Sequence, residues 1–75
     1  MMGTNALVLA LLIEERDETT GLAGPITNED VAISVGVSTT TAAFAVVALQ
    51  EFGMIQRVRR HRTGSVYRVH TGDKS

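Results

Sequence analysis

The chain has 75 residues, 44% of them hydrophobic and 20% charged, with no Cys, no Trp and a formal net charge of −1. That length supplies one compact domain over residues 1–75 and excludes a doubly wound sheet, a barrel or a two-domain enzyme. No disulfide can form, and two His without Cys fall short of a structural zinc set.

The small net charge conceals a division along the chain. Residues 1–53 carry one basic residue (Arg16) against seven acids (Glu14, Glu15, Asp17, Glu18, Glu29, Asp30, Glu51), a net of −6. Residues 54–75 carry Arg57, Arg59, Arg60, Arg62, Arg68 and Lys74 against Asp73, a net of +5. Such asymmetry points to a segment that faces a polyanion; a solvated basic strand pair is the plainer alternative.

The first predicted element is a helix over about 5–17, capped by Thr4 or Asn5. Its run Ala6–Ile13 is rich in Leu and Ala, which favours helix over strand. Eight consecutive apolar residues cover the whole circumference of a helix, more than a small domain hides. Val8 and Leu12 are therefore expected at a protein interface, as part of a surplus apolar face that includes Leu9. The run is too short for a membrane span of about 20 residues, and no basic stretch precedes it. A soluble, cytoplasmic, nucleoid-associated protein is the expectation.

Residues 19–26 read as a loop, punctuated by Gly21, Gly24 and Pro25. Thr27 then opens a short helix, with Asp30 three residues on as in a capping box. Val31, Ala32 and Val35 form its apolar side, and Gly36 supplies the positive φ that ends it. Ser38 caps a third helix that runs through Phe52 and stops at Gly53. Its apolar set is 42, 45, 46, 49 and 52. Over about 54–70 the period changes to that of a β-hairpin turning at Thr63-Gly64-Ser65. An even loop places Val58, Arg60, Tyr67 and Val69 on one face and Arg57, Arg59, His61, Val66, Arg68 and His70 on the other. With a two-residue Thr63-Gly64 turn, Arg59 and Arg68 stand opposite each other, a repulsion that a phosphate backbone would relieve. Arg60 is expected to lie over Tyr67 and Val69. Residues 71–75 are expected to fray.

The predicted class is mainly α with a small β-hairpin, in the order of a three-helix winged helix-turn-helix, with the helix-turn-helix at about 27–52. The stretch from Ile26 to Ile55 resembles the winged-helix domains of bacterial regulators of the GntR and MarR type. Ala32 stands four before Gly36, Val37-Ser38 opens the recognition helix, Thr41 and Leu49 follow, and Phe52-Gly53-Met54-Ile55 leads into the wing. The resemblance covers residues 26–70 and implies binding to double-stranded DNA. Its departure is a recognition helix without Arg or Lys: none occurs between Arg16 and Arg57. The outward positions read as Thr39, Thr40, Ala43, Phe44, Val47 and Ala48, which can touch backbone or thymine methyls but lack the Arg–guanine pairing.

The residues expected to meet DNA are therefore Thr27 and Asn28, Ser38, Thr39, Thr40 and Thr41, and Arg57, Arg59, His61, Arg62 and Arg68. Neutralising about four phosphates gives a log K against log salt slope near −3.6. The function expected is that of a small regulator or a phage or plasmid accessory factor acting as a homo-oligomer. A protein-interaction module using Phe44, Val47 and the first helix is the competing reading, unless Phe44 and Val47 belong to the core. RNA binding through the hairpin is a third. No catalytic residue, cofactor, metal or small-molecule ligand is expected. The chain lacks a Gly-rich phosphate loop, a nucleophile elbow and an HExxH motif, and Glu14 and Glu15 diverge by about 100° on a helix.

Overall fold

The computed structural model describes residues 3–70, so the expectation for residues 71–75, together with the charges of Asp73 and Lys74, lies outside the described residues. The elements run α1 (Gly3–Glu15), β1 (Leu22–Ile26), α2 (Asn28–Val35), α3 (Thr39–Glu51), β2 (Ile55–His61) and β3 (Gly64–Val69). Among the described residues the fold is α+β: three helices and a three-stranded antiparallel sheet of order β1-β3-β2. No single helix among the described residues is long and apolar enough to cross a membrane.

The third strand corrects the expected loop at 19–26. Gly and Pro read as breakers there, but an edge strand tolerates a residue without an N–H. Leu22 and Ala23 pair with Arg68 and Tyr67, and Ile26 pairs with Ser65, with a register shift that leaves Gly24 and Pro25 between the paired segments. β3 thus becomes the central strand. A lone hairpin is marginal in water, and a third strand with helices on one face removes that weakness.

Helix α1 starts and ends about two residues earlier than expected, which leaves Thr4 and Asn5 inside it. Asp17 organises the turn that follows. Its carboxylate accepts from the Thr19 amide at 2.7 Å, its carbonyl accepts from Gly21 at 2.7 Å, and its amide donates to Leu22 at 2.8 Å. At the next boundary the capping box forms as expected: the Asp30 amide donates to Thr27 Oγ1 at 2.9 Å and the Thr27 amide donates to Asp30 Oδ2 at 3.2 Å. Gly36 (φ 85°) closes α2, and the amides of Gly36 and Val37 both donate to Ala32. Ser38 caps α3 by accepting from the Thr41 amide at 3.1 Å. Past α3 the Gly53 amide donates to Gln50 and the Met54 amide to Leu49, a Schellman arrangement that delivers the chain into β2.

The core is one cluster. Val8 and Leu12 of α1, Val31 and Ala32 of α2, and Ala42, Ala45, Val46 and Leu49 of α3 meet Ala23, Ile55, Tyr67 and Val69 of the sheet. Val8 and Leu12 are fully buried, which corrects their assignment to an interface. α1 packs on both α2 and α3, which also pack directly on each other, so its Val8–Leu12 stripe closes the core against the pair. Leu9 and Leu11 are partly buried against the cluster, while Leu7 and Ile13 keep the exposed part of the apolar run. Phe52, expected in the core, is 63% exposed because the helix ends at Glu51 and the chain turns there.

The hairpin differs from its predicted register. His61 pairs with Gly64, so the two-residue loop is Arg62-Thr63 and Gly64 opens β3. The pairing then shifts between Arg57 and Arg59: Arg59 faces Val66, Arg57 faces Tyr67 and Gln56 faces Arg68. Val58 is the extra residue of this bulge. Arg59 and Arg68 are consequently not opposite each other, and the like-charge repulsion expected between them is absent from the pairing. The bulge also moves Arg57 onto the inner face with Tyr67, while Val58 leaves that face and stands exposed.

Gly64 sits hard against the strand beside it. A Cβ there would lie 2.6 Å from both the backbone nitrogen and the carbonyl oxygen of Ile26, at a φ of +135°. Gly64→Ala is therefore expected to cost about 2 kcal/mol or more in chemical denaturation. Gly36→Ala meets nothing within 4 Å and should cost only the conformational penalty, about 1 kcal/mol. Equal losses would show that the tight approach at Gly64 is unimportant. Leu12→Ala should cost about 2–5 kcal/mol.

Candidate nucleic-acid interface

Three surfaces carry the residues of interest. The first is the outward side of α3. Thr39, Thr40, Thr41, Phe44 and Val47 are exposed, and Ala43 and Ala48 are partly so, which is the rotation expected for this helix. Phe44 is 71% exposed and Val47 is 48% exposed, so both lie off the core. Ser38 and Thr41 are committed to the cap. Ser38 Oγ accepts from the Thr41 amide and donates to Thr41 Oγ1 at 2.9 Å. Thr39 and Thr40 stand in the first turn beside that cap and are exposed. α2 meets α3 at 105°.

The second surface is the outer face of the sheet, where Gln56, Arg59 and Arg68 project past the paired strands. Arg59 and Arg68 are exposed, and buried Val66 lies among them, outside the main core cluster.

The third surface was not legible in the sequence. A cleft of about 250 Å³ opens between the hairpin tip and the start of α2. Thr27 and Asn28 line it from α2, and Arg57, Arg60, His61 and Arg62 line it from β2 and the loop. The floor is Tyr67. The approach of Gly64 to Ile26 joins the two sides, because Ile26 immediately precedes Thr27. Among the described residues no carboxylate lines the cleft. The capping box takes up the Asp30 carboxylate by hydrogen bonding to Thr27.

Arg57 is half-buried in this cleft, its guanidinium carbon 5.9 Å from the centre of the Tyr67 ring. That is within cation–π range. Its Nε is buried and makes no hydrogen bond among the described residues. Leaving such a donor unpaired costs about 1–3 kcal/mol. The cation–π contact leaves that N–H unsatisfied.

The residues assigned from sequence thus divide. Thr27, Asn28, Arg57, His61 and Arg62 come together in the cleft, with Arg60 added. Arg59 and Arg68 lie on the outer sheet face. Ser38, Thr39, Thr40 and Thr41 lie at the start of α3. Arg60, expected to shield Tyr67 and Val69, is exposed and lines the cleft above Tyr67. Alternation misplaces Arg57 because one bulged residue reverses the parity of everything on the far side of it. Ile33, 73% exposed, lies off the apolar side of α2 that Val31, Ala32 and Val35 form. No group of three or more His, Cys, Asp or Glu suited to a metal ion occurs among the described residues. The chain matches no protein-family model and no curated protein.

The two sides of α3 should respond oppositely to one added charge. Phe44→Asp is expected to change stability by no more than about 0.5 kcal/mol. Val46→Asp, at a position 1% exposed, should abolish cooperative unfolding. Circular dichroism with urea titration measures both, and a folded Val46→Asp variant would overturn the assigned rotation.

Proposed function

We propose that this chain is a winged-helix DNA-binding protein in which the β2–β3 hairpin is the wing and α2–α3 the helix-turn-helix. The observation that carries this reading is the clustering of guanidinium groups on the hairpin beside the start of α2. Arg57, Arg60 and Arg62 join Thr27 and Asn28 around one cleft, and Arg59 and Arg68 extend the basic surface over the outer sheet face. Arg forks suit phosphate oxygens, and half or more of protein–DNA hydrogen bonds go to backbone. The 105° crossing of α2 and α3 and their short connection at Gly36–Ser38 agree with helix-turn-helix geometry.

In this reading affinity comes chiefly from the hairpin and the start of α2. The start of α3 adds Thr39 and Thr40, whose hydroxyls reach backbone and whose methyls suit thymine, with Ser38 and Thr41 holding the turn by their mutual cap. Without Arg or Lys on α3, duplex binding is governed by charge and weakly by base sequence. The reading makes the protein a regulator or accessory factor that coats or marks DNA, cytoplasmic and nucleoid-associated, working as a homo-oligomer without catalysis.

One observation favours a second reading. Phe44 and Val47 form an apolar, uncharged outward side of α3, the place where base contacts would otherwise be made. A protein-interaction module would bury them against a partner, with the basic hairpin meeting acidic side chains.

Titration of a random-sequence duplex at several salt concentrations tests the primary reading. The wild-type chain should bind with a strongly negative log–log salt slope. Arg59→Ala/Arg62→Ala/Arg68→Ala should flatten the slope by about 2.7, about 0.9 for each phosphate that is no longer neutralised. Absence of duplex binding at low salt would sink it. Phe44→Asp separates the two readings: duplex binding survives it under the first, and self-association or partner binding is lost under the second.

A further inference from the structure

We infer that the cleft between the hairpin and the start of α2 is a discrete site for one phosphate group, with Arg57 as its anchoring residue. The inference rests on the nucleic-acid reading for its natural ligand, a backbone diester. It goes beyond that reading by assigning a built pocket rather than a diffuse basic surface.

The inner face of the sheet is apolar wherever it meets the helices: Ile55, Tyr67 and Val69 all belong to the core cluster. Arg57 brings a cation to that face, paired across the strands with Tyr67. A Leu or Met there would continue the apolar face. Instead the position carries a guanidinium held over an aromatic ring, with a buried Nε that has no partner among the described residues. The contact with the ring restricts the Arg57 side chain in advance, so less freedom is lost when its fork grips an oxyanion. Phosphate oxygens fit this fork, since like carboxylate oxygens they take two parallel N–H bonds from one guanidinium.

The surroundings have the same sign. Arg60 and Arg62 stand at the mouth, and no carboxylate lines the cleft among the described residues. The start of α2 adds a weaker contribution. Its capping box occupies the amides of Thr27 and Asp30, which leaves those of Asn28 and Glu29 as the remaining donors of the first turn. Glu29 and Asp30 oppose an anion there, so the guanidinium groups have to dominate. The tight approach of Gly64 to Ile26 holds both walls at one spacing, and a small shift of the Arg57 side chain opens its buried Nε to an arriving oxyanion.

The phosphate can belong to a DNA backbone or to a free phosphate or monoester, and the experiment separates these. The folded full chain, labelled with nitrogen-15, is titrated with inorganic phosphate and separately with a short duplex at low salt, following the Arg57 Nε–H resonance. The expected result is a saturable shift of that resonance with either titrant. Arg57→Met, which keeps an apolar contact with Tyr67, should flatten the duplex salt slope by about 0.9, and Arg57→Lys should restore part of the loss. If the duplex binds but Arg57 Nε does not shift and Arg57→Met matches wild type, the site is overturned and the nucleic-acid reading stands. If no duplex binds but inorganic phosphate shifts Arg57 Nε, the nucleic-acid reading falls and the site stands for a free phosphate. No shift with either titrant overturns the site. Should Arg57→Met fail to fold, the wild-type titrations decide alone.

Discussion

The rest of the molecule depends on the seating of β3 between two neighbours. β3 hydrogen-bonds to β1 on one side and β2 on the other, and its first residue, Gly64, lies against the backbone of Ile26 at a distance no side chain would allow. That approach turns a marginal hairpin into a sheet locked to the body along one edge. It also ties the hairpin tip to the residue that precedes Thr27, so the start of α2 and the basic loop cannot separate without breaking the sheet.

From this constraint the charge division gains a meaning. The helical body is acidic and the hairpin basic, yet the two are not arranged to neutralise each other around the cleft, whose described lining holds no carboxylate. Asp30, in the first turn of α2, is drawn into the capping box with Thr27. The cations therefore remain available to an external anion. The core is correspondingly clean: among the described residues no polar or charged residue is buried, and the Val8–Leu12 stripe of α1 packs against both α2 and α3. The surplus of α1's apolar run is expressed at Leu7 and Ile13 instead.

Two features of the surface pull toward different chemistry. The hairpin presents guanidinium groups on both of its faces, suited to a polyanion, and α3 presents Phe44 and Val47, suited to a protein surface. These uses are compatible if chains associate through α3 while each hairpin meets the polyanion, since multivalent contact raises avidity without new bonds per chain.

Local signals in the sequence determined a good deal. The caps at Thr27 and Ser38, the stops at Gly36 and Gly53, and the outward side of α3 were all readable, because each rests on hydrogen bonds or a periodicity spanning a few residues. What only the tertiary structure decided was non-local. Leu22–Ile26 becomes a strand because β3 offers it a partner, despite Gly24 and Pro25. Val8 and Leu12 go inside because two helices, rather than one, cover α1. Arg57 enters the cleft because a single bulged residue at Val58 reverses the strand's facing, and a period of two has no way to absorb one extra residue. The basic segment was visible from composition; the pocket it builds was set by that bulge and by the approach of Gly64 to Ile26.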